Sequence, residues 1–310
     1  MRIIRDIHEA DLERDTVMTI GTFDGLHLGH QDLLKRLVRR AWQTYRLSAV
    51  VTFDPHPRAV LSGPNNVVCL TTTADKIALF EQWGLDLLVI LPFTLELART
   101  SARDFMQMLI QHLRMTELWV GWDFALGRGR EGNVPALKKL SEAMGFQVHV
   151  IAPVSEGDVV ISSTHIRNLL SAGRVAEAAE MLGRYYRVTG RVVPGVGRGK
   201  ALGFPTANLQ VSPQCAVPRS GVYAAYATVH NRRYLAAVNI GARPTFNQNP
   251  AGGAESTIEV HLLDFDGDLY GEEITVQFVE RLRDERRFPD ADALRAQIAR
   301  DVAKSREVMQ

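Results

Sequence analysis

Two folds in series are predicted for this chain: an α/β domain built on a parallel sheet, then a small antiparallel β-barrel followed by a C-terminal helix. Three observations predict them. The first half alternates short apolar runs with helical patterns. Residues 163–182 then read as helix alone, with Gly183 as a stop signal. The remainder consists of short alternating runs between glycine-rich turns. With 310 residues, 46% of them hydrophobic, the chain has apolar material for two cores.

In chain order, strand-like runs occupy residues 16–20, 49–53, 87–91, 118–121 and 147–151. Between the first two, Leu33, Leu34, Leu37, Val38, Ala41 and Trp42 fall on one face of a helix. Further helices are expected over 75–83, 102–113 and 135–144, and Ser101 with Asp104 reads as a capping box for the middle one. Strand, helix, strand at this spacing means a parallel sheet covered on both faces, with ligands at the C-terminal ends of its strands. Past Gly183, runs 222–229 and 234–240 flank a turn at His230-Asn231-Arg232, which predicts a hairpin. Residues 258–262 and 274–279 alternate in the same way. A last helix from about Asp290 is expected to turn Ala291, Leu294, Ile298 and Val302 toward the core. The expected domains are therefore residues 1–183 and 184–310.

Charge is balanced, with 36 Lys and Arg against 35 Asp and Glu. No single-sign field covers the chain, which argues against a nucleic-acid partner. Two cysteines far apart in sequence suit a reducing compartment rather than a disulfide framework. No apolar run approaches the length of a membrane span, and the N-terminus lacks a signal-peptide core, so a cytoplasmic protein without a membrane partner is expected.

The first strand runs into Gly21-Thr22-Phe23-Asp24-Gly25-Leu26-His27-Leu28-Gly29-His30, and a helix follows at once. Glycines let backbone approach a ligand, and a helix N-terminus offers unpaired N–H groups to phosphate. His27 and His30 can donate to phosphate oxygens as charge develops. Zinc ligation is the alternative, but only His56 stands near as a further ligand. Gly127-Arg128-Gly129-Arg130-Glu131-Gly132 formally matches GxGxxG; it reads better as a glycine-rich loop bearing arginines.

A second cluster, residues 190–209, ends in Lys200-Ala201-Leu202-Gly203-Phe204-Pro205-Thr206-Ala207-Asn208-Leu209. Ala201 after Lys200 rules out a Walker A loop. Thr206 and Asn208, two residues apart, project to one side and offer neutral oxygens suited to Mg²⁺ carrying ATP phosphates. Turn chemistry after Pro205 is the plainer reading of both. By alternation alone, Glu259 in Ile258-Glu259-Val260-His261-Leu262 would be a solvated strand position.

The HxGH element resembles that of the nucleotidylyltransferase superfamily, which implies a Rossmann-like α/β domain. The longer GTFDGLHLGHQ, with Asp54-Pro55-His56-Pro57, residues 121–127 and Ile161-Ser162-Ser163-Thr164-His165-Ile166-Arg167, resembles the FAD synthetase module of prokaryotic bifunctional riboflavin kinase/FMN adenylyltransferases. GFPTANL, Gly221-Val222-Tyr223, residues 239–246, 258–264 and 268–272, and the run ending Arg286-Arg287-Phe288 resemble the riboflavin kinase family, whose fold is a six-stranded barrel. The chain departs from the usual pattern at Leu126, Pro194 and Lys200. The resemblance spans nearly the whole chain. It implies that residues 1–183 adenylylate FMN to FAD and that residues 184–310 phosphorylate riboflavin to FMN, each with ATP and Mg²⁺.

The same resemblance assigns candidates. His27, His30 and Arg167 stabilise adenylyl transfer, and Gly21, Phe23, Asp24, Gly25, Asp123, Ser162, Ser163 and Thr164 bind its nucleotide, with Ser163 and Thr164 able to cap a helix. Glu259 is the kinase base, and Gly197, Lys200, Gly203, Pro205, Thr206 and Asn208 bind its nucleotide, Thr206 and Asn208 through the metal. Asn239 and Arg286 lie on the flavin side, a surface charge being the equal alternative for Arg286. Two rival readings are a chain with one active module and a flavin- or nucleotide-binding sensor. Intact HxGH and PTAN elements weigh against the first. The presence of both His30 and Glu259 weighs against the second.

Overall fold

The computed structural model describes residues 1–63, 67–195, 199, 202–242 and 256–309. The chain forms two compact units, Met1–Ser163 and Thr164–Gln310.

The first unit carries strands β1 (Arg2–Ile4), β2 (Thr16–Ile20), β3 (Leu47–Phe53), β4 (Leu87–Leu91), β5 (Met115–Gly121), the short pair β6 (Ala125–Leu126) and β7 (Gly132–Asn133), and β8 (Gln147–Ile151). Six of them form one parallel sheet in the order β1-β4-β3-β2-β5-β8. β2 and β4 are buried at every position, which is why Leu87–Leu91 reads as an unbroken apolar run. From β2 the chain moves to β3 and β4 on one side, then returns to place β5 on the other. β2 and β5 thus border a topological switch point, where a crevice opens at the strands' C-terminal ends.

Helices cover both faces. α1 (Leu28–Gln43) and α3 (Thr73–Glu81) pack on one, closing Leu33, Leu34, Leu37, Leu79 and Phe80 over Val17, Val50 and Leu88. On the other, α5 (Ala102–Leu113) and α6 (Val134–Met144) close Met106, Leu109, Leu113 and Leu137 over Met18, Val51, Val89 and Leu118. α2 (Pro57–Ser62) and α4 (Leu95–Arg99) are short connectors. Ser101 caps α5 as expected, accepting from the Asp104 amide at 3.1 Å. α3 begins earlier than expected because Thr72 and Asp75 form a reciprocal capping box. Trp42 does not join the buried face of α1; it is 79% exposed. At about 100° per residue it lies roughly 125° from the centre of the Leu33–Leu34–Leu37–Ala41 stripe.

In chain order, β8 is followed by the small pair β9 (Ser155–Glu156) and β10 (Val159–Val160), then by α7 (Ser163–Ser171) and α8 (Val175–Leu182). The second unit is a closed antiparallel barrel in the order β11-β12-β15-β14-β13-β16. Its strands are β11 (Tyr186–Val193), β12 (Ala207–Val211), β13 (Gly221–Val229), β14 (Arg232–Ala242), β15 (Ser256–Leu262) and β16 (Glu273–Arg283). The β13–β14 turn is tighter than expected. Val229 pairs with Arg232, so His230 and Asn231 alone make the turn, with φ of 48° and 61°. Two left-handed residues give the twist a two-residue hairpin needs, and Arg232 belongs to the strand.

The last helix, α9 (Ala291–Val308), starts where expected, with Asp290 accepting from the Ala293 amide at 2.7 Å. Its buried face is not the expected one. Gln297, Asp301 and Ser305 are the buried residues; Leu294, Ile298 and Val302 are half-buried and Ala291 is exposed. The cause is a polar tether. The Arg283 guanidinium forks onto Asp301, with bonds of 2.7 to 3.1 Å, and the Gln297 amide donates to Asp301 at 2.7 Å. A buried carboxylate so paired rotates the helix away from a purely apolar contact.

Candidate active sites

The cradle after β2 lies at the switch point. Gly21 donates its N–H to the Val51 carbonyl at 3.0 Å, continuing the sheet by one residue. Phe23, Gly25 and Leu26 then adopt left-handed backbone, at φ of 48°, 79° and 42°. For Phe23 and Leu26 this costs about 1–2 kcal/mol each. Both side chains are buried, Phe23 edge-on to Phe80 at 5.5 Å, and full burial contributes roughly 2–3 kcal/mol apiece. Hydrophobic anchoring therefore outweighs the strain and holds the loop against the head of α1.

His27 stands at the N-cap position of α1 without a side-chain capping bond. Its ring stacks on His30, with centroids 3.7 Å apart and planes 20° apart, and His30 leans on Phe23 at 5.0 Å. A Cβ at Gly29 would come within 3.2 Å of the His27 ring. The two histidines are thus one stacked unit at a helix N-terminus, where backbone N–H groups and the helix dipole favour phosphate.

Asp24 has a structural position. Its buried carboxylate accepts from the Leu70 amide at 2.8 Å and the Thr71 amide at 3.1 Å, and the Thr71 hydroxyl accepts from Gly25 N–H at 3.0 Å. Beneath it lies Lys76, a buried lysine whose ammonium reaches the Thr22 carbonyl at 3.4 Å. Burial pushes this ammonium below its ordinary value, and the charges of Asp24, Cys69 and Asp54 pull it back up. Sequence reading missed Leu70, Thr71 and Lys76. A lysine in an amphipathic helix reads as solvated, and nothing in its spacing marks it as buried.

Asp123 is exposed on the turn after β5, across the switch point from the cradle. The GxGxxG match is a packing loop: a Cβ at Gly127 or Gly132 would lie 2.7 Å from Ala102 atoms at the start of α5, while Gly129 meets open space. Ser163 and Thr164 do not cap α7. That helix begins at Ser163, leaving the cap position to Ser162, and the Ser163 hydroxyl donates to the Asp24 carbonyl at 2.8 Å. Arg167 lies on the same helix, within the second unit.

In the barrel, three expected residues form one row. Asn208 pairs in register with Glu259, and Glu259 pairs with Asn239, across β12, β15 and β14. All three are half-buried, whereas Ala207, Leu209, Ile258, Val260, Val238 and Ile240 are buried in the barrel. Alternation therefore turns the row outward, with neighbouring Cβ atoms about 5 Å apart. Thr206 sits at the start of the same edge. The backbone at Gly195 and Gly199 passes directly over it: a Cβ at Gly195 would overlap the Asn208 amide, and one at Gly199 would lie 3.0 Å from the Thr206 hydroxyl. Gly203, at φ 85°, and Pro205 are exposed beside them. Gly197 and Lys200 lie outside the described residues. Arg286 follows β16 and is not in this row; its guanidinium donates to Gln297 and lies over the Phe288 ring at 5.0 Å.

Among the described residues, no group of three or more His, Cys, Asp or Glu is placed to hold a metal, and no helix is long and apolar enough to cross a membrane.

Two family models match this chain: FAD synthetase over residues 9–165 and riboflavin kinase over residues 182–309. The bifunctional riboflavin kinase/FMN adenylyltransferase of Escherichia coli K12 is 37% identical, covering 99% of this chain and 97% of that protein. The protein of the same name from Pseudomonas fluorescens is 38% identical at the same coverage. A crystal structure described as a macrolide-efflux protein from Streptococcus pneumoniae superposes with a TM-score of 0.89, at 29% identity and 98% coverage of both chains. With both family models met in order and full-length relatives of this identity, the chain belongs to the bifunctional riboflavin kinase/FMN adenylyltransferase family.

Proposed function

We propose that the chain divides the family's two reactions between residues 184–310 and 1–183, in the cytoplasm, with Glu259 as the kinase base and the His27–His30 pair as the adenylyl-transfer site. The enzyme phosphorylates riboflavin with ATP to FMN, then adenylylates FMN with a second ATP to FAD and pyrophosphate. The observation that carries the kinase assignment is the row Asn208–Glu259–Asn239 beside Thr206. It sets a carboxylate between neutral amides on an outward face, beneath glycine backbone at 195 and 199 that leaves no room for a side chain.

In the kinase step, Glu259 takes the proton of the riboflavin 5′-hydroxyl as that oxygen bonds to the γ-phosphorus and the bond to the β-phosphate oxygen breaks, releasing ADP. Asn239 orients the ribityl chain, and Arg286 faces the flavin. Thr206 and Asn208 supply neutral oxygens, which fit a hard cation whose charge balance comes from phosphate rather than from protein carboxylates. Thr206 and Asn208 would hold a Mg²⁺ ion there, and such an ion would supply charge neutralisation for the phosphates. Gly203 and Pro205 shape the segment beside Thr206, and Gly197 and Lys200 are assigned to the nucleotide on motif position alone.

In the adenylyl step, an FMN phosphate oxygen attacks the α-phosphorus in line and pyrophosphate leaves. His27 and His30 donate hydrogen bonds to the developing charge. Gly21, Phe23, Asp24 and Gly25 form the nucleotide cradle, Asp24 indirectly through the loop it holds. Asp123 and the Ser162-Ser163-Thr164 segment complete the nucleotide contacts, and Arg167 joins the phosphate contacts on its motif position.

The test is Glu259→Ala, with products separated by chromatography. FMN formation from riboflavin should fall by about a thousandfold or more, while FAD formation from supplied FMN stays at the wild-type rate. Equal loss of both activities would refute the division of labour.

A further inference from the structure

We propose that His261 is a positioning residue for the kinase reaction, clamping the segment that carries Thr206. The proposal rests on the assignment of Thr206 to the phosphate and metal site. Two residues along β15 from Glu259, His261 lies on the same side of the strand. Its Nδ1 is 2.8 Å from the Pro205 carbonyl oxygen, and its ring meets Phe204 edge-on with centroids 5.5 Å apart. A carbonyl only accepts, so Nδ1 carries the hydrogen and the tautomer is fixed.

The clamp acts where the ladder ends. β12 begins at Ala207, so Thr206 lies one residue outside it, and Pro205 has no N–H to offer the sheet. The His261 bond to Pro205 extends the hold of β15 past the last ladder pair, Ala207 with Val260. On its other side His261 faces Ala237, small enough to leave room for the imidazole. Phe204 in turn donates its N–H to the Gly199 carbonyl at 2.9 Å. One imidazole therefore fixes the distance from the Glu259 strand to Thr206 and bears on Phe204, whose amide meets the glycine loop. A shift of about 1 Å in such a group costs up to a hundredfold in rate.

The bond needs only Nδ1–H, which both the neutral and the protonated imidazole possess. A clamp is therefore distinguishable from a proton carrier. His261→Asn keeps an N–H donor near the Nδ1 position; His261→Phe keeps the edge contact with Phe204 and loses the donor. In the full-length chain, His261→Phe should raise KM for Mg-ATP or lower kcat of the kinase by about tenfold or more, with FMN adenylylation unchanged as the internal control. His261→Asn should stay within about threefold and keep the wild-type pH profile of kcat/KM. Wild-type kinase kinetics in His261→Phe would overturn the clamp. So would an Asn variant as impaired as the Phe variant with its pH profile altered, which would make His261 a proton carrier. Thr206→Val separates the underlying assignment. If it is fully active, the role of Thr206 itself fails; if it is impaired while His261→Phe is not, only the clamp fails.

Discussion

The cradle in the first unit and the row in the second are built from different materials. The cradle is mainly backbone: three left-handed residues within four positions, a helix N-terminus, and a carboxylate turned inward to hold a neighbouring loop. The row is mainly side chain, with Asn208, Glu259 and Asn239 fixed by ladder register that each strand's backbone supplies without them. The difference teaches how to read a motif. On a strand, alternate side chains face away from the core, so an outward motif residue is free to serve the chemistry proposed for it. In a loop with few backbone partners, the motif residues must also make the loop. Asp24 does that work, and Glu259 does not.

Within the cradle, the largest effect should come from the stacked pair. His30→Ala removes the donor proposed to meet the developing charge, and FAD formation from supplied FMN should fall by about a hundredfold to a thousandfold in kcat. FMN formation from riboflavin should be unaffected. Rates of both steps on one preparation measure this; a parallel loss in the kinase would break the comparison.

A smaller effect sharpens it. Asp24→Ala leaves the Leu70 and Thr71 amides without their acceptor in a buried place, a cost of about 2–3 kcal/mol. The first unit should unfold at lower urea, and adenylylation should fall with it. Glu259→Gln should leave the urea midpoint of the barrel unchanged while the kinase is lost. If Asp24→Ala instead keeps its midpoint and loses only activity, Asp24 contacts the nucleotide directly.

The same contrast explains what was legible in the sequence. Strands and helices of the sheet were readable because burial on both faces leaves apolar runs such as Leu87–Leu91. The residues of the row were named on motif position, since alternation alone made Glu259 a solvated strand position; the register that sets Asn208, Glu259 and Asn239 side by side was not readable. Burial made by polar groups was not readable. Asp301 and Gln297 are buried because Arg283 reaches them, and no apolar period reports a salt bridge. Lys76 and the loop amides on Asp24 were missed for the same reason. Trp42 failed in the opposite sense: an apolar residue near the stripe, on the solvent side of the helix.

Glu117 gives the smallest effect and the strictest contrast, because it belongs to the first unit yet lies near the start of β5, away from the strand ends that carry the cradle. Its side chain is 1% exposed and takes bonds from Arg40 at 2.8 and 3.0 Å, Arg46 at 2.6 Å and Trp119 at 3.3 Å, with His149 at 3.1 Å. Burial pushes this carboxyl up, but the bonds from Arg40 and Trp119 and the charges of Arg40 and His149 overcome it and hold it below its ordinary value. A carboxyl depressed in the folded state takes up its proton more readily when unfolded. Its contribution is complete above the ordinary carboxylate value and disappears as pH falls through the lowered one. Glu117→Gln should therefore cost the first unit about 2 kcal/mol at neutral pH, less than for a fully buried pair because both arginines are partly exposed. That difference should shrink toward zero as the solution is acidified, with adenylylation kinetics unchanged wherever the variant is folded. Urea unfolding of both proteins across a pH series measures it. A gap that stays constant down to acid pH would mean that Glu117 acts through packing, and that charge ties α1 to the sheet no more than apolar contact does.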